Sequence, residues 1–504
     1  MKRFHICTFL LALALVVAPN PVQSQPSGSA GERLIVDLTI YNQNLSLIRE
    51  ERDFAFKKGT GRVLVPDIPA TIDGTSVHFA AVGDPGSVRV LEQNYQYDLV
   101  HPAKLMERYL GKEVEFVRTE PDTKKEYSVF GKLLSTGYVA SPAYGGVMNY
   151  AMIGGMVAEI NGKVEINPAG RLVLPSLPEG LILRPQLEWM VNSSREGTQR
   201  AEISYLAGQL SWNCNYVALL GKNGEKLDLT GWVTLTNNSG TSFKNAGLKL
   251  VAGDVNIVRR DFNIEGLRMA KSAMVADEAA PQFKQSELFE YKLYSLQRRT
   301  DLKNNETKQI ELTSGTGIRS KKIFIYDGLA DQWRSWYNNS SYRTQGSFGQ
   351  QSNAKVGVFV TFRNDEKSGL GLPLPKGKVR VYQRDDDGKE QFIGEDEIDH
   401  TPKDEEVRLY LGNAFDIVGE RVQKDFRSFA NGRVVEETIE ITVRNHKSES
   451  VEVQVYEHPW RWSQWEIVNS TIPSVKVDQT TLRFPVKLEK DEVSVIRYTI
   501  RYSW

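Results

Sequence analysis

The sequence predicts a mainly β protein, built of several antiparallel β-sandwich or small-barrel domains with one short helix near 102–110. Three observations carry this reading. Long stretches alternate with period two: in Leu210–Ala218, Leu210, Trp212, Cys214, Tyr216 and Ala218 share one face while Ser211, Asn213 and Asn215 share the other. Short β-branched runs are bounded by Gly, Pro and Asn. The pair 379–384 and 389–394 flanks Asp385-Asp386-Asp387-Gly388, an Asp-Gly turn that marks a hairpin.

In chain order, the first segment is a leader. Lys2 and Arg3 precede a 13-residue apolar run, Ile6 to Ala18, and Val22-Gln23-Ser24 offers small residues for cleavage. The run is too short to span a bilayer, so residues 1–24 read as a removable secretory signal and the mature chain begins near Gln25. The expected location is the periplasm or cell envelope. The leader holds two of the 63 basic residues and none of the 63 acidic ones, which leaves the mature chain at −2. So even a balance gives no field to gather nucleic acid. No later run of 18 apolar residues predicts a transmembrane helix.

The remaining 480 residues have room for several domains. The expected divisions are an N-terminal β domain over 25–100, a small β-rich domain over 101–190, a sandwich region over 191–300, and a C-terminal sandwich over 301–504. Leu34–Tyr41, Val63–Val65 and 87–91 read as strands. Pro102 suits a first helical position and Gly111 a helix end, with Leu105, Met106, Tyr109 and Leu110 on one face. Residues 61–69 (GRVLVPDIP) echo 170–178 (GRLVLPSLP), as two strands with similar Pro-bounded exits would. Residues 269–285 break the strand pattern as an insertion or linker, and Phe289, Tyr291 and Leu293 restart it. Residues 337–353 (YNNSSYRTQGSFGQQSN) form a polar loop. Glu436–Arg444 and Val451–Glu457 alternate around the turn 445–450, which predicts a second hairpin. Val493–Trp504 is a closing strand. Its aromatic end is like that of an outer-membrane barrel strand, but the charged outward faces elsewhere favour a water-facing sheet.

Segments 36–50, 91–99 (LEQNYQYDL) and 206–219 resemble the mucoidy-inhibitor-A-like family of exported bacterial proteins. GLGLPLPKGKVRVYQRDDDG (369–388), 398–421 and EHPWRWSQWEIV (457–468) extend the resemblance over nearly the whole mature chain. It implies a β-rich N-terminal region followed by a large C-terminal domain of unknown function, and brings no catalytic residues with it. Better-known members carry a long coiled coil between these halves; this chain has no sustained heptads and places a β-rich stretch, 112–185, there.

No catalytic constellation is legible. Cys214, alone in the mature chain, alternates with large apolar residues and reads as packing. His78, His101, His400, His446 and His458 fall at no metal-ligand spacing, and neither HExxH nor GxSxG occurs, so no cofactor or metal is expected. The acids at 385–387, 395–399 and 404–406 offer oxygen ligands for calcium but are spaced as a solvated face. The strongest candidate is the segment Glu457, His458, Trp460, Arg461, Trp462 and Trp465, whose three tryptophans could stack on a sugar ring or peptide, with Trp333, Trp336 and Tyr337 as a second patch. If one face of this segment instead plugs a core, Arg461 points outward. The expected function is a non-enzymatic binding or structural module whose partner is an envelope glycan or another envelope protein. The alternative is a carbohydrate- or peptide-processing hydrolase using a carboxylate pair.

Overall fold

The alternating patterns become strands throughout. The computed structural model describes residues 28–504 except 98, 143–147, 179, 254, 257–281, 331 and 351. The leader and most of the 269–285 segment lie outside the described residues. Strands make up 63% and helix 5%, which gives the mainly β class. Among the described residues most ladders are antiparallel, with parallel pairings joining Gly28–Tyr41 to Gly59–Pro66, Leu210–Leu220 to Gly377–Arg384, and Glu306–Asp327 to Val451–Glu457. Among the described residues no helix is long and apolar enough to cross a membrane.

The chain packs as two units that interleave along the sequence. The first comprises the described residues of 28–37, 47–207 and 239–241. In it Gln186–Ser193 lies between Gly59–Pro66 and Val88–Gln96. Its five-stranded small sheet runs from Glu113 to Val173 over a separate core of Tyr109, Val114, Phe116, Leu133, Ala158 and Ile160. The helix is Pro102–Arg108, capped by the His101 ring, which accepts from Ala103 N at 3.2 Å. The two echoed segments lie in different sheets, since Arg171–Val173 pairs with Glu113–Thr119. Alternation along 46–56 places Glu50 and Arg52 on the buried face; Glu50 is paired by Arg52 at 2.9 Å and by Arg33.

The second unit comprises the described residues of 38–46, 208–238 and 242–504. Its organising element is the 22-residue strand Glu306–Asp327. The first half pairs with Lys226–Asn237, which continues to Leu210–Leu220, Gly377–Arg384 and Glu390–Ile398. The second half enters a nearly closed barrel. Around that barrel run Lys355–Arg363, Glu406–Phe429, Val434–Asn445 and Val493–Ser503 on one side, with Val451–Glu457 and Thr481–Leu488 on the other. Val356, Ile417, Ile439, Ile441, Val453, Phe484 and Ile496 fill its interior.

Two sequence expectations change here. The Asp385–Gly388 hairpin forms, but Val451–Glu457 does not pair with Val434–Asn445. It crosses the barrel to join Glu306–Asp327 in parallel. Alternation identifies strands but not partners. Here the Asn445 amide donates to Glu449 O at 2.9 Å and Glu489 O at 2.8 Å, which turns the chain away from a tight return. Also, the strand pattern resumes at Phe283 rather than Phe289: Phe283–Leu288 and Tyr291–Leu296 form a hairpin, with Phe289 in the turn at φ +55°. The closing strand turns Ile496, Tyr498, Ile500 and Tyr502 inward and pairs its outward Arg497 and Arg501 with Glu440 and Glu436, the reverse of a lipid-facing strand.

Candidate functional site

One end of the barrel concentrates charge where alternation demands apolar residues. On Val434–Asn445, the inward series Val435, Ile439, Ile441 and Val443 includes Glu437; on Val451–Glu457, the series Val451, Val453 and Val455 ends in Glu457. Arg421 occupies the inward register of Glu406–Phe429. Each charge is matched. The Arg421 guanidinium donates to both oxygens of Glu457 at 2.8 and 3.1 Å, and Tyr498 OH donates to Glu457 as well. Arg461 donates to Glu437 at 2.6 Å. Buried, charge-assisted pairs of this kind are strong only when their remaining donors are also satisfied.

Those remaining donors reach the loop 337–353. Arg461 donates to the carbonyls of Tyr342 (2.9 Å), Arg343 (3.3 Å), Gln345 (2.9 Å) and Phe348 (3.2 Å). Arg421 donates to Gly349 O at 2.7 Å, and Tyr326 OH to Asn353 O at 2.7 Å. The loop's own turns satisfy some of these carbonyls, with Gln345 N on Tyr342 O and Phe348 N on Gln345 O. The two arginines add donors from outside, so the loop is fastened down over the barrel end.

Trp460 lies beneath this loop at 1% exposure, with the Arg461 guanidinium 4.3 Å from its ring and 4.8 Å from Phe426. Gly349, at φ +78°, passes over Trp460 so closely that a Cβ would lie 3.2 Å from Cζ2. The short helix Gln332–Trp336 stands beside it. Trp336 meets Trp460 edge-on at 5.4 Å, and Trp333 stacks on His458 at 4.4 Å with an 11° tilt. His458 binds Asp327 Oδ2 through Nε2 at 3.0 Å and Thr480 O through Nδ1 at 3.1 Å. Burial opposes its charged form, but the hydrogen bond and charge of Asp327 raise its pKa above the ordinary value.

The six candidate residues therefore divide. Glu457, His458, Trp460 and Arg461 are buried and hold structure, which corrects the expectation of an outward Arg461. Its guanidinium turns inward onto Glu437 and four loop carbonyls. Trp462 is half-buried under Arg343, whose guanidinium lies 4.0 Å from its ring and 5.1 Å from that of Trp504. Trp465 is half-buried, with Nε1 donating to Gln479 O at 2.9 Å and Lys476 over its ring at 4.6 Å. The two aromatic patches expected separately meet in one cluster through Trp336 on Trp460 and Trp333 on His458, while Trp462 and Trp465 pack on other partners. The solvent side of the cluster carries half-buried Trp333, Trp336, Tyr337, Tyr342 and Phe348, interleaved with exposed Gln332, Asn338, Ser341, Thr344, Gln345 and Ser347.

Elsewhere the candidates have structural partners. Cys214 is buried, and burial pushes its thiol pKa up to about 12. Asp385 accepts from Lys389 N and Gln391, Asp386 pairs with Lys222, and Glu395 pairs with Lys378 and Arg380. Glu395, Glu397 and Asp399 form the exposed face their spacing suggests. Among the described residues no cluster of three or more His, Cys, Asp or Glu could hold a metal ion. Sequence reasoning missed Arg421, Glu437 and Asp327. The signal was present for the first two, since each is a charge on an inward register of an otherwise apolar strand. No protein-family model and no curated protein matches the chain.

Proposed function

We propose that this chain is an exported cell-envelope protein, like the mucoidy-inhibitor-A-like proteins its sequence resembles, and that its barrel end is a non-enzymatic binding module. The contact surface is the face of Gln332–Trp336 and the loop 337–353, with an envelope glycan or another envelope protein as ligand. The leader motif at 1–24 supports the location.

One observation carries the binding reading. The loop 337–353 accepts hydrogen bonds from two buried arginines, Arg421 and Arg461, and its described residues show solvent a mixture of half-buried aromatics and exposed amides and hydroxyls. Loops this long without secondary structure are usually functional when ordered. Tyr, Trp, Ser, Asn and Gly together supply rigid contact area and adaptable hydrogen bonds at little entropic cost. Trp460 and Arg461 act from below, as support for the surface.

The test is retention of the mature protein on immobilised envelope polysaccharide and on an envelope-protein fraction, beside a Trp333→Ala plus Tyr337→Ala variant. At least a tenfold loss of retention in the folded variant is expected. Retention unchanged by the two substitutions overturns the assignment.

A further inference from the structure

Both nitrogens of the His458 ring face groups that can only accept. Nδ1 lies 3.1 Å from the Thr480 carbonyl oxygen, and Nε2 lies 3.0 Å from Asp327 Oδ2. A neutral imidazole carries one N–H and satisfies one such partner; an imidazolium carries two and satisfies both. The ring is 9% exposed and lies flat on Trp333, an arrangement that favours a cation over the indole face. Asp327 Oδ1 also accepts from Leu329 N at 3.1 Å and Ala330 N at 2.7 Å, so the same carboxylate sets the turn leading to Gln332–Trp336.

We propose that His458 is a proton-operated latch on the aromatic face. With its proton in place, it ties the end of Val451–Glu457 to the Asp327 turn and fixes Trp333. Loss of the proton removes one of the ring's two hydrogen bonds and the charge on the indole, and loosens the hold of His458 on Trp333, while the Asp327 Oδ1 bonds to Leu329 N and Ala330 N remain. The charged groups around the ring favour the latched state. Asp327 faces it from the end of Glu306–Asp327, Glu457 (also bound to Arg421) from its own strand, and Asp478 from the turn holding Thr480. Opposing these is Arg334, 5.7 Å from the Trp333 ring. The regulatory meaning rests on the proposed binding face; the protonation state does not.

The experiment follows the ring directly. Nitrogen NMR of histidine-labelled mature protein from pH 5 to 10 is expected to show two N–H-type nitrogens for His458 at pH 7. Asp327→Asn is expected to lower its titration midpoint by about one unit or more. Tryptophan fluorescence is expected to change through the same midpoint, and His458→Gln and Trp333→Phe each to abolish that change. One N–H-type and one pyridine-type nitrogen at pH 7 overturns the latch, using the unsubstituted chain alone. So does a fluorescence titration that persists in His458→Gln. A charged His458 in a protein that retains no envelope ligand keeps the latch and rejects the binding face.

Discussion

Arg461 and Glu437 form an ion pair at 2.6 Å with side-chain exposures of 0% and 3%, inside a barrel whose neighbouring inward positions are valine and isoleucine. Burying two charges is costly unless every donor finds a partner. Here the two Nη groups reach four loop carbonyls as well as Glu437, while the buried Nε finds no partner, so the pair joins a barrel strand to an irregular loop.

Removing one member should therefore be severe. Arg461→Ala is expected to cost about 3–5 kcal/mol by leaving Glu437 charged and unpaired in the interior. The combined replacement Arg461→Met with Glu437→Leu should be far less destabilising, since no charge is left buried alone, yet it removes the guanidinium donors from the loop carbonyls. Chemical denaturation of both variants reads this difference. Equal destabilisation of the two would count against it.

Gly349→Ala is expected to destabilise by about 1–2 kcal/mol, because φ +78° places a Cβ in the left-handed region. The new methyl must also push Trp460 aside. A lowered thermal midpoint, with a changed near-ultraviolet tryptophan signal, is the expected readout.

The contribution of His458 to stability should fall as pH rises above 6.5. The folded pKa of His458 is raised above its ordinary 6.5, so its contribution is complete below that value and lost as pH climbs through the folded pKa. Thermal midpoints from pH 6 to 10, taken as wild type minus His458→Gln, should shrink with rising pH. A difference that is flat or grows contradicts the sign.

Cys214 should be silent toward a thiol reagent in the folded mature protein and react once it is unfolded. Burial on the inward face of the strand Leu210–Leu220, with the thiol pKa pushed up to about 12, leaves neither access nor thiolate. Rapid labelling of the native protein would reopen a nucleophilic role.

Much of the fold was legible because period-two alternation is a local signal. It marked Leu210–Leu220, the Asp385–Gly388 hairpin and the closing strand. It could not tell that Val451–Glu457 joins Glu306–Asp327, residues far away in sequence, since partner choice depends on which strands share a core. The aromatic cluster was legible as composition in 457–465 and 333–337. Which ring faces water was not, because that depends on Glu437 and Arg421 arriving from other strands. Asp327 was invisible, since a lone acid ending a strand has no pattern.

The most direct test of the account is hydrogen exchange across 332–353 in the mature protein and in the Arg461→Met, Glu437→Leu pair. The amides of Asn338, Tyr342 and Gln345 are bonded to Trp460 O, Asn339 O and Tyr342 O. They should be protected in the wild type and exchange at least tenfold faster in the variant, while Val434–Asn445 stays protected. Rapid exchange of this loop in the wild type, or identical exchange in both proteins, would contradict a surface held in place by buried arginines.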